Sequence, residues 1–153
     1  MMLEIGQRAP GFSLKDSHGQ DVSLTAYAGS KNVVLVFYPF AFSRVCTGEL
    51  AEIRDQFSAF SNPSTELLAI SCDPMFSLRA FAEAERLPFP MLSDFWPHGE
   101  VSSAYGVLNE RLGCSGRATF VIDRAGTLRW QLHNEIPQAR NLVDYGQILS
   151  SLE

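Results

Sequence analysis

The sequence is poor in cysteine, histidine and basic residues. Its 153 residues hold three cysteines, three histidines and 12 Lys+Arg against 17 Asp+Glu, for a net charge of −5. No basic stripe runs through it, and a pI near 5.2 argues against the clustered cationic face that binds nucleic acid. Long apolar runs are missing too. The longest, residues 33–42, is broken by Pro39 and falls short of the ~18–20 residues a membrane-spanning helix needs. The opening Met1-Met2-Leu3-Glu4-Ile5-Gly6-Gln7-Arg8 has no charged region leading into an apolar core, so neither a secretory signal nor a membrane anchor is expected. Three cysteines cannot all pair within one chain, which fits a reducing, cytoplasmic setting. His18, His98 and His133 are far apart and none neighbours a cysteine at metal-ligand spacing, so no metal and no cofactor are expected. Repeats and low-complexity linkers are absent, and one domain spanning 1–153 is expected.

What is present is an alternation of strand and helix signals. Phe12-Ser13-Leu14 and Val22-Ser23-Leu24 flank Ser17-His18-Gly19-Gln20 as an N-terminal β-hairpin. Asn32-Val33-Val34-Leu35-Val36-Phe37-Tyr38 is a continuous β-branched and aromatic run, the mark of a strand covered on both faces. Leu50, Ile53, Phe57 and Phe60 then recur at intervals of three and four, which predicts an amphipathic helix beginning near Cys46. Leu67 to Ser71 is a second buried strand, closing a right-handed β-α-β unit. A helix over about Phe76 to Arg86, an extended piece at Met91 to Asp94 and a short helix around Glu100 to Tyr105 follow. Thr119–Asp123 and Thr127–Leu132 flank Arg124-Ala125-Gly126 as another hairpin, and Leu142, Tyr145, Leu149 and Leu152 share one face of a closing helix. The order predicts an α/β fold with a mixed central sheet flanked by helices, compatible with a thioredoxin-like fold and with other small α/β domains.

The chemistry concentrates at Cys46. A thiol in the first turn of a helix meets unsatisfied backbone N–H groups and the positive end of the helix dipole. Such settings can lower a cysteine pKa from ~8.5 to ~3.5–7.5 and turn it into a nucleophile. Position alone also allows a small buried hydrophobe. The neighbours add weight to the nucleophile: Ser43 brings a hydroxyl three residues earlier, Pro39 fixes the backbone, Arg44 adds a cation, and Glu49 lies one turn on, able to orient a cation. Ser43 as a helix cap and Glu49 completing that cap are the structural alternatives.

Pro39, Ser43 and Cys46 form the P-x-x-x-[ST]-x-x-C motif, and together with Glu49 they resemble the peroxiredoxin family. Ala9-Pro10-Gly11-Phe12-Ser13-Leu14, Phe37-Tyr38-Pro39, Leu92-Ser93-Asp94 and Arg117-Ala118-Thr119-Phe120-Val121-Ile122-Asp123 resemble that family's landmarks in the same order. Ser93-Asp94-Phe95-Trp96-Pro97-His98-Gly99 and Ala104-Tyr105-Gly106-Val107 resemble its AhpE-type, one-cysteine branch. The resemblance implies a thioredoxin-like fold and an antioxidant peroxidase. Its peroxidatic Cys46 would attack a hydroperoxide and become a sulfenic acid. It also implies that Arg117, at the start of a late strand, addresses thiolate and peroxide together, with Arg44 as the competing cation.

The oxidised cysteine must be returned to thiol. Ala51 stands where one subgroup has a resolving cysteine, and no cysteine follows Cys114. Cys72 reads as a packing thiol at a strand end, and Cys114 lies in the polar stretch 109–116. An external reductant is therefore expected: a low-molecular-weight thiol, a glutaredoxin-like protein such as mycoredoxin, or thioredoxin. Cys114 as an internal resolver and a non-enzymatic redox sensor are the alternatives. Phe95, Trp96 and Pro97 could wall the site or join a dimer face, and the resemblance implies a homodimer.

Overall fold

The structure is a computed structural model that describes residues 2–56, 62–138, 140 and 143–152, with the side chains of 143–146 excepted. Strand β3 (Asn32–Phe37) is buried at every position. That follows from its sequence, which has no polar residue after Asn32 to turn toward water. Its two faces feed two separate cores. Val34 and Val36 pack with Leu67 and Ala69 of β4 (Thr65–Ser71) against Leu50 and Ile53 of α1 (Arg44–Asp55) and Leu78 and Phe81 of α2 (Met75–Glu85). Val33, Leu35 and Phe37 pack on the other side with Leu68, Ile70 and Phe120, beneath Val101 and Tyr105.

β3 pairs in parallel with β4, and β4 in parallel with β5 (Met91–Ser93). The N-terminal hairpin of β1 (Ser13–Asp16) and β2 (Asp21–Ser23) adds antiparallel to the β5 edge. On the opposite side β3 pairs antiparallel with β8 (Arg117–Ile122), followed by β9 (Leu128–Asn134). The result is a seven-stranded mixed sheet in the order β2-β1-β5-β4-β3-β8-β9, with a short helix α3 (Glu100–Ala104) and a closing helix α4 (Val143–Ser151). This is the expected α/β architecture. Phe57, Phe60 and Leu142 of the expected helical faces lie outside the described residues, as does the side chain of Tyr145.

Two elements depart from the sequence reading. Leu24–Tyr27 form a 3-10 turn after the hairpin. The stretch 109–116, expected as a polar loop, instead carries a two-stranded ribbon of β6 (Leu108–Asn109) and β7 (Cys114–Ser115). Its fully buried Cys114 and Ser115 were hidden by the polar residues of the turn between the strands. Gly116 joins this ribbon to β8: a Cβ there would meet the Val107 carbonyl oxygen at 3.1 Å, and the Gly116 N–H donates to that same oxygen at 2.6 Å. The close approach delivers Arg117 into the sheet at a fixed place.

Candidate active site

The site forms where the loops after the parallel strands leave the sheet, the usual position for ligands in open α/β sheets. Pro39 is buried two residues beyond the end of β3. The chain then turns through Phe42, a non-glycine residue at φ 68° whose ring packs on Phe81 with centroids 5.0 Å apart. Asp73, beyond β4, holds this turn by accepting the Ala41 N–H at 2.8 Å and the Ser71 hydroxyl at 2.7 Å on one oxygen. Ser43 occupies the cap position of α1 and its carbonyl takes the first helical bond, from Thr47 N–H at 2.8 Å.

Cys46 follows in the first turn, with no exposed surface. Arg117 donates from Nη2 to the Cys46 sulfur at 3.3 Å, from Nη1 to Glu49 Oε1 at 2.6 Å and from Nε to the Ile136 carbonyl at 2.9 Å. All three guanidinium nitrogens are thus used, and the fork is fixed rather than free to swing. Glu49 Oε1 also accepts Arg140 Nη1, and Oε2 accepts the Arg140 backbone N–H at 2.8 Å. Arg140 further donates to Thr119 Oγ1 at 2.7 Å and to the carbonyls of Ala118 and Phe37. One carboxylate therefore sits between two guanidinium groups, all buried. An ion cluster this dry holds only because nearly every lone pair and N–H finds a partner.

The structure brings Cys46, Glu49 and Arg117 into direct contact, with Pro39 and Ser43 shaping the loop that leads to them. Ser43 does not cap the helix through its side chain: its hydroxyl donates to the Phe40 carbonyl at 2.9 Å. Glu49 reaches cations and does not close a capping box, because both its oxygens are taken by arginines. Arg44 is exposed and stands outside the cluster. Sequence reasoning missed Arg140. It follows Ile136-Pro137-Gln138-Ala139, a stretch with no periodicity, and the only signal for it was that a buried Glu49 facing one arginine leaves a second oxygen to satisfy.

The other two thiols are free and buried. The Cys72 sulfur lies 3.6 Å from Ser115 Oγ and 3.9 Å from Ser102 Oγ, a polar knot that ties α3 and β7 to the end of β4. Burial raises its pKa. Burial also pushes the Cys114 thiol up to about 11, with negative charge on Cys72 and Cys46 acting in the same sense. Both are poor nucleophiles in the folded protein. Several large apolar side chains are exposed, among them Phe40 and Phe42 on the loop before α1, Phe95, Leu112 and, at 82% exposure, Trp96.

The sequence signature of the AhpC/TSA family matches residues 5–131. Alkyl hydroperoxide reductase E of Mycobacterium tuberculosis is 49% identical over 129 residues, covering 84% of each chain. Among solved structures, peroxidoxin BcpB from Mycobacterium tuberculosis superposes with a TM-score of 0.87 at 29% identity, covering 100% of this chain and 99% of its own. The reduced 2-Cys peroxiredoxin of Plasmodium vivax gives 0.88 at 28% identity over 97% of this chain and 81% of its own. With a matched span of most of its length and a close relative on both its sequence and its fold, the chain belongs to the AhpC/TSA family of peroxiredoxins.

Proposed function

We propose that this chain is a one-cysteine hydroperoxide reductase acting as one domain, with Cys46 as the peroxidatic nucleophile. One observation carries the assignment of roles: Arg117 donates to the Cys46 sulfur while Glu49 holds the same guanidinium from the other side. A cation fixed beside a sulfur in a dry site suits a thiolate and the charge that develops on a peroxide oxygen. Cys46 attacks one oxygen of the hydroperoxide, the S–O bond forms as the O–O bond breaks, and water or an alcohol leaves. The start of α1, with no side-chain cap, and Arg117 stabilise the departing oxygen. Pro39 and Ser43 shape the loop that admits the substrate, and Arg140 positions Glu49.

The peroxiredoxin reaction needs a hydroperoxide and a thiol or redoxin reductant. The reductant here is an external one, a low-molecular-weight thiol, a mycoredoxin or glutaredoxin-like protein, or thioredoxin, because Cys72 and Cys114 are both buried and held protonated. Three free thiols fit a cytoplasmic setting. The exposure of Phe40, Phe42, Phe95, Trp96 and Leu112 supports pairing of the chain as a homodimer. With excess thiol present, peroxide is consumed over many turnovers. Consumption that stops after one equivalent identifies a redox sensor instead and overturns the enzyme reading.

A further inference from the structure

Tyr38, the residue before Pro39, has no part in the scheme above. The alternation of β3 continues through it, so its ring lies on the side of Val34 and Val36, in one buried cluster with Cys46, Leu50 and Phe81. It has no exposed surface. Its backbone N–H donates to the Ile70 carbonyl at 3.1 Å, but its hydroxyl has no hydrogen-bond partner among the described residues. Leaving a buried hydroxyl unpaired costs about 1–3 kcal/mol, and native interiors hold few such groups. A phenylalanine would fill the same space without that penalty. Ser71 and Asp73 lie near the hydroxyl without closing a hydrogen bond to it: the Ser71 hydroxyl donates to Asp73 Oδ2 at 2.7 Å and accepts the Asp73 N–H at 3.3 Å. Burial pushes the Tyr38 pKa above the ordinary phenol range; Ser71 works against this, and negative charge on Asp73 and on Cys46 adds to it. The hydroxyl therefore keeps its proton, in the same buried cluster as Cys46.

We propose that Tyr38 is a catalytic hydrogen-bond donor whose hydroxyl takes as its acceptor the oxygen passing from the hydroperoxide to Cys46. The proposal rests on Cys46 being the peroxidatic residue. In the step, CysS⁻ and ROOH give CysSO⁻ and ROH: the S–O bond forms, the O–O bond breaks, and the hydroperoxide's proton moves from the attacked oxygen to the leaving one. Sulfur is oxidised by two electrons and the peroxide reduced by two. The Tyr38 proton stays on Tyr38 throughout. A donor that is orphaned in the reduced protein and paired as the S–O bond forms stabilises the transition state more than the ground state, which is the condition for raising the rate.

Tyr38→Phe removes one oxygen atom and tests this directly. Three quantities are measured on the same preparation: the thermal midpoint, the pH profile of Cys46 alkylation by iodoacetamide, and the single-turnover rate with hydrogen peroxide. The expected result is a midpoint equal to or above wild type, an alkylation rate within twofold and an unmoved pH profile, with the peroxide rate at least tenfold lower. The ratio of peroxide rate to alkylation rate cancels any misfolded fraction. An unchanged ratio overturns the proposal, whether both rates hold or both fall together. If wild type itself fails to reduce peroxide, the peroxidase reading falls and the proposal with it; normal wild-type turnover beside an unaffected variant removes the proposal alone.

Discussion

Glu49→Gln is the sharpest perturbation of the ion cluster, because it changes charge at nearly constant shape. Glu49 Oε1 accepts Nη1 of Arg117 and Nη1 of Arg140, and Oε2 accepts the Arg140 backbone N–H. A glutamine cannot serve both sides. If its NH2 replaces Oε2 it faces the Arg140 N–H, and if it replaces Oε1 it faces two guanidinium groups, so in either rotamer donor meets donor. The variant also removes the carboxylate charge that two buried cations share, Arg117 at 2% and Arg140 at 5% exposure. Breaking a buried ion pair by removing one partner costs about 3–5 kcal/mol, a large share of the roughly 5–15 kcal/mol that holds an ordinary domain together. Urea unfolding measures this as a lower midpoint at unchanged slope. Loss of the 2.6 Å tether also frees Arg117 from the sulfur, and the peroxide rate falls at least tenfold. A variant within about 1 kcal/mol of wild type and within twofold in rate would refute the reasoning, because it would mean that the carboxylate neither balances nor aims the arginines.

Arg117→Ala lowers the peroxide rate by more than about 10²-fold, in the range seen for loss of a preorganised donor, whereas the exposed Arg44→Ala changes it by no more than about threefold; equal losses in stopped-flow assays would sink the assignment. Cys114→Ala leaves turnover with external thiol unchanged, and intact mass after one equivalent of peroxide shows an added oxygen or a thiol adduct; a loss of two hydrogens that vanishes in the variant would make Cys114 the resolver. Stability declines in alkali. The fold buries the neutral Cys114 thiol and raises its pKa from 9.0 to about 11, so the stabilisation is full below about pH 9 and is lost as pH rises toward about 11. Chemical unfolding between pH 8 and pH 11 follows this, and the decline attributable to Cys114 disappears in Cys114→Ala.

Much of this was legible in the residues themselves. Unbroken Val33 to Phe37 announces a strand buried on both faces, and the interval pattern of Leu50 and Ile53 sets Cys46 at the start of the helix beside it. The motif pointed to Pro39, Ser43 and Cys46, and the family resemblance, not the strand pattern itself, singled out Arg117. What sequence could not give was the contact that makes these a site. Glu49 and Arg117 are 68 residues apart and Glu49 and Arg140 91 apart, and no local pattern encodes a pairing made only when three elements converge. Cys114 was misplaced for a related reason: the polar turn of residues 110–113 outweighed a two-residue strand too short to show alternation. Ser43 stands at the cap position of the helix, but its hydroxyl donates to the Phe40 carbonyl at 2.9 Å instead of accepting a helical N–H, so the structural alternative of a side-chain cap does not form.

The central claim is that Cys46 is the residue that reacts with peroxide. Intact-mass analysis of the reduced protein, treated with one equivalent of hydrogen peroxide and trapped with a sulfenic-acid reagent, tests it most directly. The account predicts a single adduct that maps to Cys46 and is lost, together with thiol-dependent peroxide consumption, in Cys46→Ser. An adduct on Cys72 or Cys114, or consumption that persists in Cys46→Ser, would contradict it.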